Sequence, residues 1–175
     1  MNEDLDKIVR AYFGALYAKK YSPDKITSKN IFEPVIAKSI ETKRGLRFHG
    51  VIGSGKTMLL INCVEKLQER LGIDFHNRVS IYHEQQLYEL IKNKRTLVYK
   101  DVMIIDDFGS VKIPEWLLSD YEYIYARIHS KDITLYLSTN LTEQIIEKTY
   151  PRTYSRLKEI TDGYIVPGED RRKDK

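Results

Sequence analysis

The sequence predicts a three-layer α/β sandwich built around a mainly parallel central sheet. Three observations lead there. Short apolar runs alternate with amphipathic helical stretches along the chain. One of those runs, Val102 to Ile105, is apolar without interruption, as strands covered on both faces are, and Ile133 to Leu137 is another apolar strand. A glycine-rich segment, residues 50–57, sits between the short strand at Leu46, Arg47 and Phe48 and the helix after it. At 175 residues and 42% hydrophobic content the chain has the size of one domain with one sizeable core, and it shows no internal repeat or low-complexity linker.

Taken in order, Leu5, Ile8, Val9, Tyr12, Phe13 and Leu16 recur at helical spacing, which predicts a helix over 4–19 stopped before Ser22-Pro23. Its apolar face either packs on the protein's own core or receives a partner. A second helix is expected from Ile31 to Ile40, after which Gly45 breaks the chain ahead of a strand at Leu46, Arg47 and Phe48. Leu60, Val64, Leu67 and Leu71 mark one face of a helix that Gly72 ends. A strand over Val79 to Tyr82 and a helix from Glu84 to about Lys94 lead into the run at Val102. Pro114 suits a first helical turn, and Leu117, Tyr121, Ile124 and Ile128 carry that helix towards the strand at Ile133. Another helix begins near Thr142. Tyr121, Tyr123 and Tyr125 alternate within a helix and so face different ways, while Trp116, near a helix start, is expected to anchor the core or its edge.

Composition narrows the function. No stretch approaches eighteen apolar residues and the first thirty lack a cleavable apolar region, which predicts a soluble, cytoplasmic protein without membrane contact. Cys63 is the only cysteine, so an intramolecular disulfide is excluded. With 29 basic and 25 acidic residues the net charge of +4 does not by itself mark a nucleic-acid binder. The cations do cluster, at Lys92, Lys94, Arg95 and Lys100 and again at Arg171, Arg172, Lys173 and Lys175, as solvated surface or as contacts for a phosphate backbone. His49, His76, His83 and His129 are scattered without partners at metal-ligand spacing and read as surface or packing residues.

Gly50, Val51, Ile52, Gly53, Ser54, Gly55, Lys56 and Thr57 match the phosphate-loop pattern GxxxxGK(S/T) in full, after a predicted strand and before a predicted helix. Glycines let successive amides turn inward onto phosphate oxygens, and the helix start adds its positive end. Lys56 supplies a mobile charge, and Thr57 offers a hydroxyl to Mg²⁺, so the ligand expected is Mg-ATP. Fifty residues beyond Lys56 the apolar strand ends in Asp106-Asp107. Ligands of open parallel sheets bind beyond the carboxyl ends of strands, which predicts Asp106 beside the loop as a water-mediated Mg²⁺ ligand and Asp107 facing the attacking water. The next strand runs into Ser138, Thr139 and Asn140. Asn140 either reads the water and terminal phosphate or serves as a cap or turn residue.

GVIGSGKT at 50–57, VMIIDDFG at 102–109, WLLSDYEYIYARI at 116–128, LSTN at 137–140, RTYSRLKEI at 152–160 and GYIVPGEDRR at 163–172 together resemble the AAA+ ATPases of the bacterial helicase loader family, DnaC and DnaI, and the related IstB transposition helpers. The resemblance runs from about Leu46 to Arg172. It implies a P-loop AAA+ core over 45–175 preceded by a helical segment over 1–44, with Asn140 at the sensor position and Arg156 as an arginine finger. Arg152 and Arg127 are the competing fingers. A finger acting on a neighbour implies a homo-oligomer when active and slow hydrolysis by the monomer. The partners implied are a replicative helicase and single-stranded DNA; the alternatives are a transposition helper on duplex DNA and an ATP-binding adaptor with little turnover.

Three departures qualify this expectation. About 45 residues precede the loop strand, fewer than the helicase-gripping region of the loaders. The 35 residues after Asn140 are too few for a helical lid, in keeping with the loader clade. The usual glutamate after the first acid is Asp107.

Overall fold

The computed structural model describes residues 3–14 and 29–168. The Leu16 end of the first predicted helix, the Ser22-Pro23 stop and the cation cluster at 171–175 lie outside the described residues. The first helix is α1 (Glu3–Tyr12), followed by α2 (Lys29–Thr42), longer than expected and carrying Pro34 inside it. Next come β1 (Gly45–His49), α3 (Lys56–Leu71), the single turn α4 (Phe75–Arg78), β2 (Val79–His83), α5 (Glu84–Lys92) and β3 (Val102–Phe108). The chain then forms α6 (Glu115–Ser130), β4 (Thr134–Thr139), α7 (Glu143–Thr149), α8 (Pro151–Ile160) and β5 (Thr161–Ile165).

All five strands are parallel, in the order β2-β3-β4-β1-β5. Alternate side chains point to opposite faces of each strand, which divides the core in two. Ile104 and Tyr136 pack on one face with Leu5, Ile36, Leu60 and Val64 of α1, α2 and α3. Met103, Ile105, Leu135 and Leu137 pack on the other with Leu87, Tyr121 and Leu157 of α5, α6 and α8. The apolar run of β3 is continuous because both faces are covered. In α1, Leu5, Ile8 and Val9 are buried in the first of these layers.

Two expectations are corrected. Gly45 is the first residue of β1 and not a break before it; a Cβ there would lie 2.1 Å from the Leu135 carbonyl oxygen, so the strands meet too closely for any side chain. Trp116 is no core anchor: it is 69% exposed on α6, whose buried face is formed by Leu117, Tyr121, Ile124, Tyr125 and Ile128. Of the three alternating tyrosines, Tyr121 and Tyr125 are buried and Tyr123 faces out.

The connection from β1 crosses to β2 on one side of the sheet, whereas that from β4 leads to β5 on the other. The crevice between β1 and β4 at their carboxyl ends is therefore the switch point, where ligands of such sheets bind.

Candidate nucleotide-binding site

Residues 50–55 leave β1 at that switch point. Gly53 and Gly55 take φ of 83° and 100°, the left-handed region that curls the loop before α3. Gly50 is required for a second reason: a Cβ there would meet both the Ser54 hydroxyl and the Val166 carbonyl oxygen at 2.8 Å. The Val166 amide in turn donates to the His49 carbonyl at 2.6 Å, so the chain after β5 runs beside the loop. Val51 and Ile52 are exposed and Ser54 is buried. Lys56, buried at the start of α3, donates from Nζ to the carbonyls of Gly50 at 2.8 Å and Val51 at 2.7 Å, which folds its ammonium over the loop.

Asp106 closes the other side. Its Oδ1 accepts from the Thr57 hydroxyl at 3.1 Å and the Ser138 hydroxyl at 2.5 Å. Burial pushes this carboxyl above the usual range, and those two hydrogen bonds oppose the rise. The β3–β4 register shifts between Ile105 and Phe108, so that Asp106-Asp107 forms a bulge, and Asp107 takes φ of 60°. The bulge turns the neighbouring carboxylates apart: Asp106 is 5% exposed, whereas Asp107 points to the open side of the crevice. Ser138 Oγ fixes the turn by also accepting from the Asp107 amide at 2.9 Å.

Two side chains meet at Asp107. Asn140 Nδ2 approaches its Oδ1 at 3.4 Å, and His83 Nε2 approaches its Oδ2 at 3.5 Å. His83 Nδ1 accepts the Gln85 amide at the start of α5, which leaves the ring proton on Nε2, towards the carboxylate. Asp107 raises the His83 pKa above its ordinary value. Asn140 caps no helix: α7 is capped by Thr142, whose hydroxyl accepts the Ile145 amide at 3.3 Å.

Behind the loop, buried Arg47 donates to His49 Nε2 at 2.8 Å and to Glu143 Oε1 at 2.7 Å, and His49 Nδ1 lies 3.0 Å from the Leu141 carbonyl. That network joins β1 to the segment after Asn140, and burial lowers the His49 pKa. The same Arg47 holds Glu143 below the usual carboxylate range. Beneath Asp107, Glu84 is fully buried, accepts from the Tyr121 hydroxyl at 2.5 Å, and is pushed up to about 7 by burial.

The arginines stand apart from this cluster. Arg156 on α8 donates to the Arg152 carbonyl at 3.0 Å, Arg152 lies 3.7 Å from Glu122, and Arg127 rests over the rings of Tyr99 and Tyr123. Sequence reasoning missed His83, Arg47 and Glu84 as parts of the site, and named Ser138 at the strand end without a role. His83 and Glu84 follow an apolar run just as Asp106 does, a signal that could have been read.

The donor set suits Mg²⁺. Thr57 Oγ1 and Asp106 Oδ1 are adjacent hard oxygens, and among the described residues no group of three or more His, Cys, Asp or Glu forms a metal cage. A cation that keeps waters and takes phosphate oxygens needs no more than this.

No protein-family model matches the sequence, and no curated protein matches it. Solved structures do. The crystal structure of the DnaC helicase loader superposes with a TM-score of 0.65 at 19% identity, covering 81% of this chain and 91% of that one. The DnaI crystal structure gives 0.64 at 18% identity over 81% and 83%. The replication initiator DnaA bound to AMPPCP and single-stranded DNA gives 0.63 at 18% over 86% of this chain and 50% of that one. The chain thus has the α/β P-loop fold of these AAA+ domains. Among the described residues no helix is long and apolar enough to cross a membrane.

Proposed function

We propose that this chain is an AAA+ ATPase that binds Mg-ATP and hydrolyses it to ADP and phosphate, acting in the cytoplasm as a helicase loader. One observation carries the reading: Lys56 and Thr57 after β1, the Asp106-Asp107 bulge of β3 and Asn140 after β4 converge on the switch-point crevice. The loop amides of 50–55 and the Lys56 ammonium would bind the phosphates. Thr57 and Asp106 would hold Mg²⁺, which supplies charge neutralisation on the phosphate oxygens. Asp107 orients the attacking water and accepts its proton, while Asn140 and His83 hold Asp107 in place. Arg156 would complete the site of an adjacent protomer in a homo-oligomer, so turnover requires assembly.

The likeness to DnaC, DnaI and DnaA supports a role in DNA replication, with a replicative helicase and single-stranded DNA as partners. Turnover by the purified chain tests this. Stimulation by single-stranded DNA, and capture of a hexameric helicase by the Asp107→Asn form in ATP, are the expected results. Stimulation by duplex with filament growth would replace the reading with an IstB-like transposition helper. Tight ATP binding without turnover under every condition would replace it with an adaptor.

A further inference from the structure

A cavity of about 680 Å³ opens at the amino-terminal ends of β3 and β4, the end of the sheet opposite the phosphate loop. The six residues of β4 separate the two ends by about 20 Å at ~3.3 Å per residue. Its inner wall is apolar and buried: Leu67 of α3, Ile133 ahead of β4, and Tyr136 within it. Its rim carries Lys43, Arg70, Arg78, Lys100 and Lys131 against only two carboxylates, Asp101 and Asp132.

Two of those cations are engaged. Arg78 pairs with Asp101 at 2.7 Å, and Lys100 donates to the His76 carbonyl. Lys43, Arg70 and Lys131 pair with no carboxylate among the described residues; Lys131 lies over the Tyr99 ring at 5.7 Å. Two helix ends meet at the mouth. Lys43 and Asp132 take φ of 55° and 53° where α2 and α6 stop, and the Thr134 hydroxyl donates to the Lys43 carbonyl at 3.2 Å, which ties the two ends together.

The volume lies in the range of small-ligand pockets, and the walls ask for a ligand with two parts. Three cations outside any ion pair call for phosphates; the apolar part of the lining calls for a ring system, which an inorganic anion lacks. We propose that this cavity binds a nucleotide unit, either free or within a single strand, at a site separate from the phosphate loop. The base rests on the half-buried Ile40, Leu71 and Tyr99 of the lining, and the phosphates meet Lys43, Arg70 and Lys131.

Fluorescence anisotropy on the whole chain tests this with two probes, a labelled thymidine 5′-monophosphate and a labelled short oligothymidylate, each repeated in the Lys56→Ala background to silence the phosphate loop. The Lys43→Gln, Arg70→Gln, Lys131→Gln triple variant is expected to weaken the bound probe roughly tenfold or more, at an unchanged melting temperature. For the oligonucleotide the slope of log affinity against log salt falls by about 2, the counterions of three phosphate contacts on a single strand. Binding of the monophosphate assigns a free nucleotide, and binding of the oligonucleotide alone assigns a strand. Hydrogen exchange on the wild-type chain guards against misfolding of the variant, since either probe should protect amides 131–136. Absence of binding by both probes, binding unaltered by the triple variant, no protection at 131–136, or tighter competition there by an acidic peptide would each overturn the proposal.

Discussion

Asp106 and Asp107 are neighbours in the chain with opposite surroundings, one buried between two hydroxyls and the other facing the crevice beside His83 and Asn140. Under the proposed mechanism, replacing Asp107 with Asn removes the proton acceptor and keeps its shape. Turnover is expected to fall by about 10²–10⁴-fold with ATP affinity nearly unchanged, as read by phosphate release and by calorimetry. Glu84 carries a pH signature. Its carboxyl rises from an ordinary 4.5 to about 7 on folding, so the folded state holds the proton more tightly than the unfolded one. The stability this gives is complete below pH 4.5 and is lost as pH rises to 7, an effect on the order of 3 kcal/mol. Glu84→Gln mimics the protonated form. Urea melts should find it close to wild type at pH 4.5 and more stable than wild type at pH 8. The phosphate loop and the acid pair were legible because each motif is contiguous in sequence. The roles of Ser138, His83 and Arg47 were not, since they depend on strand register and on partners 24 to 96 residues away, or on a side-chain direction that no periodicity reports.

Among the elements, the strands and their order of appearance could be read from the apolar runs, and the long helices from their spacing. What could not be read was where backbone meets backbone. Gly45 looked like a breaker because glycine usually is one; only the parallel pairing of β1 with β4 reveals the contact with Leu135. Gly45→Ala should therefore cost on the order of 3 kcal/mol in a urea melt, as an overpacked core position does, with no loss of helix content before the transition. The bulge in β3 was equally hidden. Two adjacent carboxylates at a strand end look alike in sequence, and the register shift alone separates their directions. Trp116 misled for another reason: periodicity places it next to the buried stripe, and a helix start does not say which side of the stripe is covered.

At the scale of the whole molecule, nothing brings Arg156, Arg152 or Arg127 to the chain's own phosphate loop; each is held on α8 or α6 by local partners. For any of these three to serve as a finger, it would have to reach a second copy of the chain. Turnover per chain should rise with protein concentration, and Arg156→Ala should abolish that rise while leaving nucleotide affinity nearly unchanged. A parallel loss of affinity would mean that the arginine serves its own subunit. Fold class was visible from alternation alone, since a parallel sheet needs crossover helices on both faces. The cationic cavity at the far end was not, because Lys43, Arg70 and Lys131 belong to three separate segments that only the closed sheet brings to one rim.

All of these functional readings rest on a triphosphate held between Lys56, Thr57 and Asp106. Titration calorimetry of the folded chain with ATP and magnesium is the direct measurement: saturable heat in the wild type, lost in Lys56→Ala and weakened when magnesium is chelated, is the predicted result. No heat from folded wild-type protein, or heat that Lys56→Ala leaves unchanged, would contradict it.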